Sequence, residues 1–162
     1  MSIIPGRFTA QIDRPVVLFL IGMRINNLLA LSDIMFMSKT MPAMLKELSE
    51  KKDSGMLWFQ TSVSLPRYIT VQQYWESFDK LLAYAHAKDA HHFPMWVEFN
   101  KRITKSKNIG IWHETYLVEP GKFECVYGNM PMFGLAVATS HVPAEGRLAQ
   151  AKDRFAVSGD QE

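Results

Sequence analysis

The chain has 162 residues, of which 48% are apolar and 21% are charged, and its formal net charge is +2. This length fits a single domain, and the composition is that of an ordinary globular protein with enough apolar material for a core. Lysine and arginine are scattered along the chain instead of forming a basic stripe, so we expect no nucleic-acid partner.

The cysteine content and the apolar runs bear on the compartment. Cys125 is the only cysteine, which excludes a disulfide within this chain and cysteine-based zinc sites. The first residues lack a basic segment followed by an apolar one, and so predict no secretory signal. The apolar run Val16–Met23 is far shorter than the ~20 residues of a membrane helix. We therefore expect a cytoplasmic protein with no membrane partner.

The first half of the chain predicts one strand and one long helix. Residues 1–14 are expected to form an extended arm or a frayed tail. A β-branched, apolar strand runs from Pro15 to about Arg24, and Leu31–Glu50 has helical spacing of its apolar residues. Within that segment Thr40 is a candidate cap for a helix with Pro42 in its first turn, because proline is tolerated there.

The second half predicts two hairpins separated by two helices. Met56–Ser64 and Tyr68–Trp75 form a hairpin candidate, since only three residues join two strand-like segments. The two predicted helices are Glu76–Ala87 and His92–Thr104. A second hairpin is expected to join the strands 109–118 and 123–127 around a proline-glycine turn.

This order of elements predicts an α+β fold with a ferredoxin-like antiparallel sheet and helices on one of its faces. We expect a single domain over residues 15–140, preceded by the arm at 1–14 and followed by a tail at 141–162. Several strands are apolar on both faces, which favours a homodimer that packs two sheets together. The ten methionines and the 12% of aromatic residues either line an adaptable apolar pocket or fill an irregular core.

The first candidate site residue is His92, at the start of the second predicted helix. His92, Trp96, Phe99 and Ile103 fall on one helical stripe that is expected to face the sheet. A neutral imidazole in an apolar cavity is the ligand that a haem iron needs. The alternative is a histidine near a helix start that is satisfied by hydrogen bonds.

The second candidate is His113, on a predicted strand. Strand alternation places His113 with the apolar residues that face the helices, where His92 also points. An imidazole titrates near neutral pH and can move a proton during catalysis. The alternative is a buried histidine tied to a backbone carbonyl.

Three further residues are candidates with strong structural alternatives. Glu114 and Tyr116 lie on the opposite face from His113, where they are expected to meet Arg24; they are candidate catalytic residues, or else form an ion pair or a dimer contact. Arg67 is a candidate for binding a carboxylate or a haem propionate, because guanidinium binds such groups bidentately. Its alternative is an ordinary surface arginine.

Other catalytic templates are absent from the sequence. It contains no GxSxG elbow, no phosphate loop and no dinucleotide-binding fingerprint. His86, His91 and His92 do not form a convincing zinc cluster, because adjacent helical positions do not easily share one ion. Cys125 lies in a predicted strand and is interpreted as a small buried residue, with a nucleophile as the alternative.

Nearly the whole span from residue 4 to 139 resembles a bacterial and fungal family of monooxygenase-like proteins (DUF4188) of the dimeric α+β barrel superfamily. The resemblance is carried by these segments: Pro5-Gly-Arg-Phe-Thr-Ala, Val17-Leu-Phe-Leu-Ile-Gly-Met-Arg24, Gln73-Tyr-Trp-Glu-Ser-Phe78, His92-Phe-Pro-Met-Trp96, Asn100, Ile111-Trp-His-Glu-Thr-Tyr116 and Glu124–Leu135. It implies a monooxygenase-like enzyme, a homodimer and the same α+β fold.

The C-terminal block is more faintly similar to the haem-containing aldoxime dehydratases. In those enzymes a histidine that begins a helix is the proximal haem ligand, and a later Trp-His-Glu segment supplies a distal catalytic histidine. The resemblance implies His92 as axial ligand of a b-type haem iron and His113 as distal acid–base residue. Trp96, on the same helical stripe as His92, and Arg67 are the further candidates for the haem site. We expect one such domain in this chain, without the second half of a dehydratase.

Three functional hypotheses follow. The first is a haem enzyme, an oxidoreductase or a dehydratase-like lyase, acting on a small apolar or aldoxime-like substrate. The second is a cofactor-independent monooxygenase of the same fold, in which His113 and nearby aromatic residues activate an electron-rich substrate. The third is a non-catalytic module for ligand binding or dimerisation.

Overall fold

The computed structural model describes residues 2–51, 53–87 and 92–157, without the side chains at 92–96, 103, 156 and 157. Its strands are β1 Ile4–Gln11, β2 Val16–Ile25, β3 Met56–Ser64, β4 Tyr68–Trp75, β5 Ile109–Val118, β6 Tyr127–Met130 and β7 Ser140–Pro143. Its helices are α1 Leu31–Glu50, α2 Phe78–His86, α3 His92–Ser106, α4 Leu135–Ala138 and α5 Ala151–Val157, and a 3-10 turn spans Gly146–Leu148.

The larger sheet has the order β3-β4-β2-β5, and each neighbouring pair is antiparallel. The first and third of these strands in chain order, β2 and β4, lie at the centre, as the ferredoxin-like arrangement requires. One face of β2 is covered by helices, and the start of its other face is covered by Ala10 of β1 and by α4, which explains much of its apolar character. The predicted α+β fold and the predicted hairpin of β3 and β4 are confirmed.

One face of this sheet packs against the helices in two clusters. Near the start of β2, Val17 and Trp75 pack with residues of α1 and α2: Leu48 and Leu81. Near its end, Met23 and Ile109 pack with residues of α1 and α3: Met37 and Phe99. The burial of these apolar side chains is the main term that holds the helices on the sheet. The predicted placement on one face is confirmed for the three helices that the sequence predicts, α1, α2 and α3.

A second, three-stranded sheet with the order β6-β1-β7 covers one end of the opposite face. Ala10 of β1 packs there with Val16, Tyr74 and two residues of α4, Leu135 and Ala136. Residues 4–11, expected to lie in an extended arm or a frayed tail, and residues 140–143, at the border of the expected tail, are paired strands. They form β1 and β7, which pair with each other along four residue positions.

Three local predictions are also wrong. The segment 123–126 is not a strand, and β6 pairs with β1 instead of returning along β5, so the second predicted hairpin does not form. α1 is continuous from Leu31, so Thr40 is a buried interior residue and not a cap, and Pro42 lies inside the helix. Packing of α1 on the sheet outweighs the hydrogen bond that proline cannot donate.

Of the two later helices, α3 starts where the sequence pattern predicts, and α2 starts at Phe78, two residues after the predicted Glu76. α2 begins after Ser77, whose hydroxyl accepts a hydrogen bond from the backbone N–H of Lys80 at 3.2 Å. Such a cap stabilises a helix by about 1 kcal/mol. α3 begins at His92, as predicted, and ends two residues beyond Thr104. Within the described ranges, none of the helices has the length and apolar character needed to cross a membrane.

Candidate small-molecule site

A cavity of about 510 Å³ lies between α1 and the helix-covered face of the larger sheet. Its described lining is mostly aliphatic, aromatic and thioether side chains. The lining residues are Ile21, Met23, Met37, Ser38, Met41, Pro42, Leu45, Lys46, Ser49, Phe59, Thr61, Val63, Ile69 and Val71. A cavity of this size and character is typical of a site for a small apolar molecule.

The helical wall of the cavity follows from the spacing of residues in α1. Met37, Met41 and Leu45 are four residues apart, so their side chains lie above one another on one face of the helix. Met37 and Leu45 are only 2% and 7% exposed. Two of these three are methionines, whose unbranched thioether chains adapt to different ligand shapes. The methionine-rich pocket that the composition suggested therefore lies at α1.

The floor of the cavity follows from the register of three strands. Ile21 of β2 is paired with Val71 of β4, which is paired with Thr61 of β3, so these three side chains point to one face. The next row toward the end of β2 is Met23, Ile69 and Val63. A shift of register by one residue would turn both rows to the opposite face.

The cavity opens along the edge strand β3. Ser38, Lys46 and Ser49 form a second, exposed stripe of α1 beside the apolar one. Across from them, Thr61 is exposed and Val63 is 60% exposed. Polar side chains thus surround the mouth, while the interior is apolar.

His113 lies on the same face of the sheet as the cavity, one strand further. It is paired with Ile21, which lines the cavity, and its ring centroid is 5.8 Å from that of Phe19. The predicted orientation of His113 toward the helices is confirmed by this register. The side chain is exposed, so the alternative of a buried histidine tied to a carbonyl is wrong.

Glu114 and Tyr116 are brought together on the opposite face of the sheet. The Tyr116 hydroxyl donates a hydrogen bond to Glu114 Oε2 at 2.7 Å, and this bond raises the pKa of the phenol. Arg24 does not meet them: it donates instead to the hydroxyl of Tyr68 and to the side-chain oxygen of Asn26. The expected contact with Arg24 is wrong, and the pair is separated from the cavity by the sheet.

Arg67 forms hydrogen bonds that stabilise the fold. Its Nη1 donates to the carbonyls of Ile25 and Asn26 at 2.7 and 3.0 Å, which fixes the chain where it leaves β2. These bonds support the structural alternative. Binding of an anionic group by Arg67 stays a prediction.

The side chains of His92 and Trp96 lie outside the described residues, so the predicted haem contacts stay predictions. A later member of the same stripe is described: Phe99 is 8% exposed and packs with Met23 and Ile109 of the sheet. This face of α3 is therefore directed toward the sheet at Phe99.

Cys125 lies beside the buried Tyr74 and the half-buried Tyr127 at the covered end of the opposite face. Its Sγ accepts a hydrogen bond from the backbone N–H of Ala10 at 3.4 Å. Desolvation by burial, and then the nearby Cys125, raise the pKa of Tyr127 strongly; desolvation also raises that of Tyr74. Cys125 is half-buried and contributes to packing and hydrogen bonding. In the part of the chain that is described, no three His, Cys, Asp or Glu residues are grouped to hold a metal ion.

The residues of α1 and β3 that form the cavity were not among the predicted site residues. The signal was present: Met37 and Met41 are four apart in a predicted helix, and Phe59 and Val63 alternate on a predicted strand. What could not be read from the spacing is that α1 stands away from the sheet at this point and leaves a cavity.

Fold and cavity define an α+β protein of the ferredoxin-like type with an apolar site for a small molecule. The match of its residues 16–135 identifies the chain further: it belongs to the monooxygenase af470-like family. This agrees with the monooxygenase-like class that the sequence resembles. No curated protein matches the sequence.

Solved structures share the fold at low sequence identity. A crystal structure of an aldoxime dehydratase in complex with butyraldoxime has a TM-score of 0.61 and 12% identity, over 94% of this chain and 43% of the dehydratase. SnoaB, a cofactor-independent oxygenase from Streptomyces nogalater, has a TM-score of 0.44 and 8% identity, over 66% of this chain and 95% of its own. A dimeric ferredoxin-like protein from an uncultured marine organism has a TM-score of 0.43 and 15% identity, over 64% and 95%. This chain thus spans less than half of the dehydratase.

Proposed function

We propose that this protein is a monooxygenase-type enzyme whose apolar substrate binds in the cavity between α1 and the sheet. The cavity carries the proposal, because it is lined by apolar groups, is open to solvent at one edge and lies inside the segment that matches the family. An apolar site of this kind binds a small molecule by removing its surface from water.

The reaction class is oxidation of a substrate methylene to a carbonyl. Both C–H bonds of the methylene break and a C=O bond forms with one atom of O₂, while the other oxygen atom leaves as water. The substrate supplies all four electrons, so the step needs O₂ but no external reductant. It begins with removal of a proton from the methylene, so the substrate methylene must be flanked by a carbonyl group or an aromatic ring that stabilises the resulting carbanion.

His113 is the proposed base for that proton. His113 lies beside the cavity and is not part of its lining: its strand partner Ile21 lines the cavity, and directly paired residues in antiparallel strands have Cβ atoms about 4.5–5.5 Å apart. Its imidazole is exposed, so the proton can pass on to water. Glu114 and Tyr116 face the other side of the sheet, and we assign them no step in this reaction.

Labelled oxygen and matched histidine variants test this proposal. Purified protein is incubated with an extract of apolar metabolites under ¹⁸O₂, and products that gain one ¹⁸O are sought by mass spectrometry. We expect such a product with the wild type and with His141→Ala, whose ring stacks on Phe8 in the smaller sheet. His113→Ala should lose the product and still bind a neutral apolar dye. Equal labelling by His113→Ala would contradict the proposed base.

Haem does not fit the cavity formed by the side chains that the structure describes. That lining offers no imidazole, thiolate or phenolate to iron, and Lys46 is its one cation for two propionates. A b-type haem bound through His92 is therefore a separate proposal. It rests on the resemblance of His92 and Trp112-His113-Glu114 to the aldoxime dehydratases.

Absorption spectra with added hemin test the haem proposal. His86, an exposed histidine at the end of α2, provides the matched control. Haem ligation by His92 predicts a Soret band for the wild type and His86→Ala that shifts or disappears in His92→Ala. Spectra that equal the sum of free hemin and protein would contradict it.

We propose further that the protein is a homodimer formed through the uncovered part of the sheet. Trp112, Glu114 and Tyr116 lie on that face, and Tyr116 is 49% exposed. Light scattering after gel filtration tests this: Tyr116→Lys should give a monomer, whereas Leu29→Lys, in the loop before α1, should stay a dimer. A monomeric wild type would contradict the proposal.

We also propose that the protein is located in the cytoplasm.

A further inference from the structure

We propose that the ligand of the cavity is an apolar molecule with an anionic head, and that this head binds Lys46 at the mouth. This inference rests on the proposed function, because it concerns the same cavity. It adds the charge and the orientation of the ligand.

The distribution of polarity along α1 gives the orientation. The stripe Met37, Met41 and Leu45 faces the interior, whereas Lys46 and Ser49 lie on the exposed stripe at the mouth. An apolar chain that enters between α1 and β3 leaves its polar end at that opening. The arrangement suits a molecule that is apolar along its length and polar at one end.

The charge at the mouth gives the sign of the head. Lys46 is the one charged side chain among the described residues that line the cavity, and no carboxylate lines it there. A cationic head would meet an ammonium group, and an anionic head would gain a favourable contact. The hydroxyl of Thr61 at the same opening can donate a hydrogen bond to a carboxylate, whereas those of Ser38 and Ser49 donate to the backbone carbonyls of Met35 and Lys46.

Lys46 is available for this contact. Its Nζ lies 3.8 Å from Glu50 Oε1 one helical turn away, and the two side chains are 76% and 67% exposed. Exposed pairs of this kind hold their charges weakly, so a ligand carboxylate can compete with Glu50 for the ammonium group.

Displacement of Nile red, a neutral dye, measures the effect of the head alone. Decanoate, 1-decanol and decylammonium share one chain and differ in charge. We expect all three to compete, with decylammonium weakest. Lys46→Gln should weaken the binding of decanoate by about five-fold, which is the upper range for an exposed ion pair, and leave the affinity for 1-decanol unchanged. Lys39→Gln, on the same helix but outside the cavity lining, should change neither.

The possible outcomes separate this inference from the proposed function. If Lys46→Gln weakens decanoate and 1-decanol equally, or weakens neither, the anionic head is wrong while the cavity stands. Blocking variants test the cavity itself: Met41→Trp from the helix and Val63→Trp from the edge strand should both abolish dye binding. Two variants are used because one of them could fail to fold, which circular dichroism reveals. Dye binding that survives in a folded blocking variant contradicts both proposals.

Discussion

Replacement of Gly22 by alanine should destabilise the protein, although alanine is the better strand residue. Gly22 lies in the central strand β2 opposite Trp112, and the indole of Trp112 lies against its backbone. A Cβ at position 22 would stand 2.7 Å from three atoms of the indole ring: Cε2, Cζ2 and Nε1. Carbon atoms do not approach so closely, so the indole must move.

Two opposing terms set the magnitude of this effect. Overpacking a well-packed site costs about 1–3 kcal/mol, whereas replacing glycine by alanine in a strand recovers about 0.5–1 kcal/mol. The net loss in unfolding free energy should be about 1–2 kcal/mol. In the background Trp112→Ala the clash is absent, and the same Gly22→Ala change should stabilise by about 0.5–1 kcal/mol.

A double-mutant cycle measures this coupling. The wild type, both single variants and the double variant are unfolded in urea and followed by circular dichroism, because Trp112→Ala alters the fluorescence. We expect a coupling free energy of about 2 kcal/mol, which is well above the scatter for independent sites. If Gly22→Ala destabilises equally in both backgrounds, the reasoning from the indole contact is wrong.

Three further outcomes are expected from the described contacts. Burial raises the pKa of Tyr84 to about 12, so the folded state favours the neutral phenol; its contribution is complete below pH 10 and is lost as the pH rises through about 12. Tyr84→Phe should make the urea stability fall less over that window, and an unchanged slope would count against the shift. Glu114→Gln should lower the pKa of Tyr116 toward 10.0, measured by NMR titration of the ring; no change would exclude the hydrogen bond as its cause. Arg154, 5% exposed, donates to a carboxylate and two carbonyls, so Arg154→Ala should cost about 2–3 kcal/mol, whereas exposed Lys152→Ala should stay within about 0.5 kcal/mol; equal effects would contradict this.

The local pattern of apolar residues was sufficient to predict strands of the larger sheet and the long helix α1. The alternation in Met56–Ser64 and Tyr68–Trp75, joined by a short link, predicts the hairpin with its observed bounds. Leu31–Glu50 is likewise recovered with its observed bounds. In each case the signal lies within one stretch of chain, where periodicity is informative.

Long-range pairing was not available from the sequence. β1 pairs with β6 and β7, which are more than 100 residues away, and both partners are only four residues long. Segments this short carry little periodicity, so they resemble tails and turns. The prediction that Pro42 lies in the first turn of a helix was wrong for a related reason. Whether a proline interrupts a helix depends on how firmly the rest of the helix packs, which is a tertiary property.

The candidate site was predicted in part. The face of His113 followed from strand alternation, and the register of β5 against β2 agrees with it. The split of His113 from Glu114 and Tyr116 followed in the same way. The cavity could not be predicted in this way, because it depends on the distance between a helix and a sheet. Periodicity gives the direction of a side chain but not that distance.

Methyl NMR of methionine tests the central claim, that the cavity between α1 and the sheet binds an apolar ligand. The protein is labelled with ¹³C at its methionine methyl groups and titrated with Nile red, whose aromatic rings shift nearby signals. We predict that Met23, Met37 and Met41, which line the cavity, shift in proportion to occupancy. Met35, 57% exposed on the same helix, and Met132, beyond β6, should not shift. Shifts confined to Met35 or Met132, or no shifts at all, would contradict the claim.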